Sequence, residues 1–352
     1  MRIVYCGELW NGGTCRMRME ALERLGHEVV PVDTTWQPRG IRGLVPRALR
    51  KAGWVWDATG VNRALLRAVE EHRPELVWID KGLSVRPRTI RLIRDERRAV
   101  KLVHYSPDDR SGSHNQSWQY LACLPMYDLH VTTKSFNVQE LRGRGARAVL
   151  FTDNAYCRRT HRPVLVTSED RVALGGPVGF IGAFERERAE AMLFLAENGV
   201  PVRVWGGGWA RWARKHAHAS LRVENRPLWG EQYARAICSF EVNLGFLRKL
   251  NRDLQTTRSV EIPACGGFLL AERTEEHLKL FEEGVEAEFF GSREELLEKC
   301  RYYLAHPGER RRIAAAGRER CLRSDYSYDR HVAAVLDALR SRADGGSAYA
   351  FT

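Results

Sequence analysis

The 352-residue sequence carries 56 Lys and Arg against 44 Asp and Glu, a formal charge of +12, and is 44% apolar. That apolar share excludes a largely disordered chain, and the length predicts two domains. The charge favours acidic partners such as phosphorylated small molecules or an anionic membrane surface; no nucleic acid is expected, because no nucleic-acid motif accompanies it. No apolar run reaches the ~18 residues of a membrane span, and the opening MRIVYCGELW enters a strand-like run with no cleavable apolar stretch. The expected location is the cytoplasm, with peripheral attachment at the inner membrane face as the variant. The eight cysteines form no C-x-x-C pair and are read as buried thiols of a reducing compartment, with no zinc site.

In chain order, RIVYC, HEVVPVD, ELVWID, VKLVHYS, DLHVTTK and RAVLF predict six strands, with CRMRMEALERLG as a helix that ends on Gly26. Residues 39 to 101 hold sixteen Lys or Arg against seven Asp or Glu, with Trp54 and Trp56 among them. The stretch from 39 to 67, with Arg47, Arg50 and Lys51, is the candidate for contact with anionic lipid headgroups. After HRPVLVTSEDRVALGGPVG the pattern restarts with VGFIGA, VPVRVWG, FEVNLGF, GFLLAE and AEFFG. Strand alternating with helix, twice over, predicts two Rossmann-like doubly wound α/β domains, each with a parallel sheet covered on both faces. SREELLEKCRYYLAHPGERRRIAAAGRERCL reads as a Ser-capped helix, a break at Pro307–Gly308 and a second helix that Gly317 weakens or ends. YDRHVAAVLDALRSR supplies a last helix.

Ligands of open α/β sheets bind at the carboxyl ends of strands. There lies NRDLQTTRSVEIPACGG, which puts Asp253 and Glu261 on either side of hydroxyls and an arginine. A helix beginning near Thr256, Thr257 or Ser259 offers free N–H groups to a phosphate. The carboxylates match the donor pairs of vicinal diols. A nucleotide sugar has both kinds of group. Pro263 is expected to shorten or kink this helix. In WGGGW (Trp205 to Trp209), after a strand, the glycines predict close backbone approach to a ligand.

From TTRSVEIPACGG to Leu322, the sequence resembles the CgeB-like (spore maturation protein) glycosyltransferases, within the group-1 (family 4-like) glycosyltransferases of GT-B fold. GFIGAFERERAEAMLFLAENGVPVRVWGGGW and KLVHYSPDD extend the likeness upstream. The resemblance implies a GT-B fold with an interdomain cleft. It implies that residues 1–165 form an acceptor-side domain and 166–325 a nucleotide-sugar-binding domain. Helix 326–343 packs back toward the N-terminal domain, and 344–352 form a flexible tail. It implies that EIPACG places Glu261 on the ribose and Asp253, where glutamate is usual, on the donor sugar. Gln255, Thr256 and Thr257 fall where the diphosphate is held, and Arg188 where a cation neutralises it, with Arg186 second. Lys249 and Arg258 are further candidates. Arg226, Pro227 and Leu228 correspond to the loop that contacts the base. His104, in HYSPDD, resembles the histidine beside the transferred sugar, with Asp108 and Asp109 next to it. GELWNGGT, with Gly12 and Gly13, resembles the loop bordering the donor phosphates; it lacks G-x-G-x-x-G, so a nicotinamide is not implied.

The implied activity is transfer of a sugar from a UDP-, dTDP- or GDP-linked donor to a hydroxyl acceptor in glycan, polysaccharide or glycoconjugate synthesis. The acceptor is a glycan, a lipid-linked compound or a small molecule. No cofactor or metal is required, and D-x7-E suggests a retaining outcome. If the enzyme inverts, Asp108 or His104 is the base. The alternatives are a GT-B nucleotide-sugar epimerase and a basic, non-catalytic membrane- or nucleic-acid-binding protein.

Overall fold

The computed structural model describes residues 1–36, 49 and 53–343. Arg47, Arg50, Lys51 and the 344–352 tail lie outside the described residues. The chain forms two compact units: Met1–Asp153 with Tyr328–Thr352, and Asn154–Ser327. The first division comes earlier than the expected join after residue 165, and the last helix, Tyr328–Ala343, belongs to the first unit.

In the first unit, β1 (Arg2–Gly7), β2 (Glu28–Asp33), β3 (Leu76–Asp80), β4 (Lys101–Ser106), β5 (Leu129–Thr132) and β6 (Val149–Phe151) form a parallel sheet of order β2-β1-β3-β4-β5-β6. Strand order reverses between β1 and β3. β1, β3 and β4 are strands because each is a short apolar run rich in Val, Ile and Tyr, buried on both faces, whereas the edge strand β2 buries only Val32. The helix Thr14–Arg24 ends as expected: Gly26 takes φ +83°, which a Cβ would disfavour. Within the same helix, the Arg18 guanidinium is buried and paired. Its Nε donates to Asp80 Oδ2 at 2.8 Å, and its Cζ lies 4.2 Å from the centre of the Tyr105 ring. Tyr5 donates to the same carboxylate oxygen at 2.8 Å. Arg24 pairs with Asp329 at 2.7 Å and so fastens the last helix to this unit.

In the second unit, β7 (Gly176–Ile181), β8 (Val202–Trp205), β9 (Leu221–Val223), β10 (Phe240–Gly245), β11 (Leu269–Glu272) and β12 (Glu288–Phe290) form a parallel sheet of order β12-β11-β10-β7-β8-β9. β9 was not among the expected strands. Cores lie on both faces: Leu269 and Ala271 of β11 enter one cluster and Leu270 the other. Here the order reverses between β7 and β10. Helix Arg293–Ala305 is capped by Ser292, and a new helix starts at Pro307, as the sequence predicts. Gly317 does not end that helix, which runs to Arg323. A Cβ there would stand 2.2 Å from the Glu286 carbonyl oxygen, so glycine is needed for close packing rather than for a stop.

Among the described residues, no helix is long and apolar enough to cross a membrane. All eight cysteines are free thiols, and seven are buried.

Candidate functional site

The reversal point of the second sheet gathers two loops. The one after β7 leads into the helix Arg186–Glu197, and the one after β10 leads into Thr257–Ala264. Arg188, in the first turn of the former, is only 2% exposed. Its Nη1 donates to the Ala183 carbonyl at 3.3 Å and lies 3.6 Å from Glu185. Nε and Nη2 are buried without a hydrogen-bond partner among the described residues. Burial first, and then the like charge of Arg258, pull its pKa down to about 10. Arg258 brings a second buried, unpartnered Nε, and both guanidinium groups sit within 6.0 Å of the Phe180 ring centre. Unpaired buried donors are costly. Two of them on a cation, beside a second cation and a helix N-terminus, make a place for an anion.

The segment after β10 holds the two acids differently. Asp253 is buried, and its Oδ1 accepts from Asn251 Nδ2 at 2.6 Å while Oδ2 accepts from the Arg248 amide at 3.3 Å. Glu261, also buried, lies inside the helix; Tyr233 Oη donates to its Oε2 at 2.7 Å, and His161 Nε2 stands 3.7 Å from Oε1. Because His161 Nδ1 accepts the Cys157 amide at 3.0 Å, a neutral ring carries its proton on Nε2, facing the carboxylate. Burial lowers the His161 pKa and keeps that ring neutral, against the pull of Glu261. Tyr233 and His161 were not foreseen. Pro263 closes the helix as expected, one residue before its end at Ala264.

Other expected residues take other places. Gln255 is fully buried, and its Oε1 accepts from the Asn154 amide at 2.9 Å, so the side chain ties the loop to Asn154. Thr256 precedes the helix, and its amide donates to Ser259 Oγ at 3.0 Å; Ser259 Oγ in turn meets His277 Nε2 at 2.7 Å. That amide is therefore already used. Thr257 and Arg258 open the helix, where amides have no carbonyl of their own turn. Lys249 pairs with Glu272, and Arg186 is an exposed helix residue within 4.0 Å of Glu190. Arg226 lies over the Trp205 ring at 4.5 Å, and Leu228 is buried in the core. In WGGGW, Gly206 is needed where the protein's own backbone closes in. A Cβ on Gly206 would stand 1.9 Å from Gly182 O, and Phe184 N donates to Gly207 O at 3.0 Å.

In the first unit His104 needs correction. It lies within β4, as the strand VKLVHYS predicts, but is 1% exposed, in a cluster with Tyr120, Tyr127 and His130, and so does not border an open site. Its Nε2 donates to the Lys81 carbonyl at 3.0 Å, and burial holds its pKa well below the usual value. Such a ring has no face left for a substrate. Asp109 Oδ1 likewise accepts from Ser111, Gly112 and Asn137, which makes it a loop brace. Asp108 lines a cavity together with Glu8 and Lys81. Gly12 takes φ +87°, and Gly13, before the helix Thr14–Arg24, leaves room for the Trp10 ring 2.9 Å from where a Cβ would stand.

Residues 186–337 match a family profile described as "Glycosyl transferase-like". A comparison with curated proteins gave no match. Among solved structures the chain is similar to Anabaena HepE, solved in complex with UDP-glucose. The identity is 13% and the TM-score 0.65, over 96% of this chain and 99% of that one. It is also similar to sucrose-phosphate synthase from Thermosynechococcus elongatus, at 13% identity and TM-score 0.70 over 97% and 100% of the two chains. A glycosyltransferase from Rickettsia africae gives 12% identity and TM-score 0.65 over 97% and 98%. At these identities the likeness carries the fold, which is GT-B.

Proposed function

We propose that the second unit holds a nucleotide-diphosphate sugar by its diphosphate, and that the protein is a glycosyltransferase delivering the sugar to a hydroxyl acceptor. The observation that carries this is Arg188: a buried guanidinium with two unpartnered nitrogens, beside Arg258 and the first turn of Thr257–Ala264. The family profile over 186–337 and the fold shared with a UDP-glucose complex support the same reading.

In this reading Arg188, Arg258 and the amides of Thr257 and Arg258 stabilise the charge that develops on the leaving diphosphate. Those groups supply what a divalent ion would supply, so the reaction is proposed to be metal-independent. Glu261 accepts from the ribose diol, and Asp253 from a hydroxyl of the donor sugar. As the anomeric carbon–oxygen bond breaks, its electron pair leaves with the diphosphate. The acceptor oxygen bonds the anomeric carbon, and its proton passes to a diphosphate oxygen on the same face, giving retention. The CgeB-like assignment, a hexosyl donor and a role in polysaccharide synthesis belong to this proposal.

A thermal-shift screen of UDP-, dTDP- and GDP-linked sugars, followed by a donor-hydrolysis assay, tests it. Stabilisation by at least one donor is expected; none by any of them removes the reading. Products formed from donor alone without hydrolysis would favour an epimerase. Asp253→Asn should lower turnover more than donor affinity, and a fully active variant would take Asp253 out of the chemistry.

A further inference from the structure

A cavity of about 600 Å³ opens at the amino ends of β1, β3 and β4, the end of the first sheet away from the loops that carry Gly12, Lys81 and Asp108. Its floor is apolar: Leu76 at the start of β3, Val100 just before β4, and Leu336 and Leu339 of the last helix, each more than nine-tenths buried. Leu336 and Leu339 are three residues apart and so share one face of that helix. The rim is cationic. Arg73, Arg97, Arg98, Lys101 and Arg340 stand there against two acids, Glu75 and Glu96.

The fold itself uses little of this charge. Glu75 is engaged, its Oε1 accepting the Arg2 amide at 3.0 Å. Arg340 reaches Asp337 of its own helix at 3.4 Å, a weak pair between exposed groups. Arg97 Nε is buried without a hydrogen-bond partner among the described residues. Helices Val61–His72 and Pro87–Glu96 both end here, and a cation after each offsets their carbonyl ends. That accounts for Arg73 and Arg97 as charges and leaves Arg98, Lys101 and Arg340 without such a reason. Arg73 also takes φ +47° directly before Pro74, a left-handed position where glycine is the usual residue. Its side chain is kept there against backbone preference.

We infer that this cavity binds a single-chain anionic amphiphile, its chain on the leucine and valine floor and its head on the arginine rim. The class follows from what the lining offers and omits. Among the described lining residues there is no aromatic ring to stack on a base or a sugar, and no hydroxyl or amide side chain to meet their polar groups. A bare inorganic anion leaves the floor facing water, and a neutral apolar ligand makes no use of the rim. Guanidinium groups take carboxylate and phosphate heads alike, so a free amphiphile and a lipid of an anionic bilayer present the same chemistry. The bound chain bridges the last helix to the strand starts and adds to the hold of Arg24 on Asp329. Nothing in this inference uses the groups of the second unit, so it stands apart from the glycosyl-transfer reading.

Calorimetry and thermal shift on the full chain, with decanoate and decyl phosphate below their micellar concentrations, test it. Saturable one-to-one binding that raises the melting temperature is expected. Octanoate, two methylenes shorter, should bind about tenfold more weakly than decanoate; equal affinities would take the chain off the floor and overturn the inference. So would inorganic phosphate or decanol binding as tightly as the amphiphiles, or no saturation by either amphiphile. Arg97→Gln should weaken decyl phosphate about tenfold and leave UDP affinity unchanged. Arg73→Gly removes the rim charge while relieving the left-handed backbone. Melting temperature without ligand should therefore hold or rise as amphiphile affinity falls about tenfold. Both variants binding like the wild type would sink the proposal, as would a concentration-dependent dimer lost in both, which gives the cavity to a second copy. Sedimentation with phosphatidylglycerol vesicles separates the sources. Vesicle binding displaced by decyl phosphate assigns the site to a bilayer lipid, and saturable decanoate binding without it assigns a free amphiphile.

Discussion

Arg18 and Arg188 are both buried at the reversal point of a six-stranded parallel sheet, and they are treated in opposite ways. Arg18 meets Asp80 along Nε and Nη2, lies against Tyr105, and shares its carboxylate with Tyr5. Arg188 has one carbonyl and a distant glutamate, with two nitrogens unanswered. The fold can thus satisfy a buried guanidinium when its role is structural. Leaving one unsatisfied costs stability, and such costs concentrate where a ligand completes the arrangement.

The contrast breaks most sharply at Asp80. Asp80→Ala strands the Arg18 charge in the core and should cost about 3–5 kcal/mol of stability by chemical denaturation. Arg188→Ala should do the reverse. The ligand-free protein should melt at the same temperature or higher, while UDP affinity falls by about 1.5–3 kcal/mol and uridine affinity holds. Equal losses for UDP and uridine in calorimetry would mean that Arg188 does not meet phosphate. Glu261→Ala should weaken UDP through the ribose by a charge-assisted contact of similar or smaller size. Tyr233→Phe, which only loosens that carboxylate, should cost about 1 kcal/mol. Unchanged affinity in both would leave Glu261 a purely structural acid.

The smallest and most distributed effect is on pH. His104, His130, His161 and His277 all have pKa values lowered chiefly by burial, His130 to about 4. Each ring binds its proton less readily folded than unfolded. Their contribution is therefore intact above an unfolded pKa of about 6.5 and is lost as pH falls below it, with each tenfold weakening of proton binding worth about 1.4 kcal/mol. Melting curves between about pH 7 and pH 4.5 should fall steadily. A flat profile would contradict the buried, neutral rings.

The sheets and the carboxylate-bearing helix were legible because they rest on local patterns: apolar runs, Gly26, Ser292 and the Pro307 break. β9 was not, since Leu221–Val223 is three residues long and only half-buried. His104 stood inside the predicted strand VKLVHYS, but its burial comes from Tyr120, Tyr127 and His130, partners that the residues around it do not announce. Tyr233 and His161 stand 28 and 100 positions from Glu261, and no local spacing announces such partners. The cavity that brings Leu76 and Leu336 together is likewise a conjunction visible only in three dimensions.

Because Tyr328–Ala343 belongs with Met1–Asp153, the second unit is an insertion within the first. On a ribosome adding about 5–20 residues per second, the inserted stretch is complete and free to fold before its host has received its last helix. The inserted unit can therefore finish folding before the unit that contains it. A contiguous fragment 154–327 is the natural candidate for independent expression. A truncation before Tyr328 deprives the earlier unit of its last helix and of Asp329, the partner of Arg24.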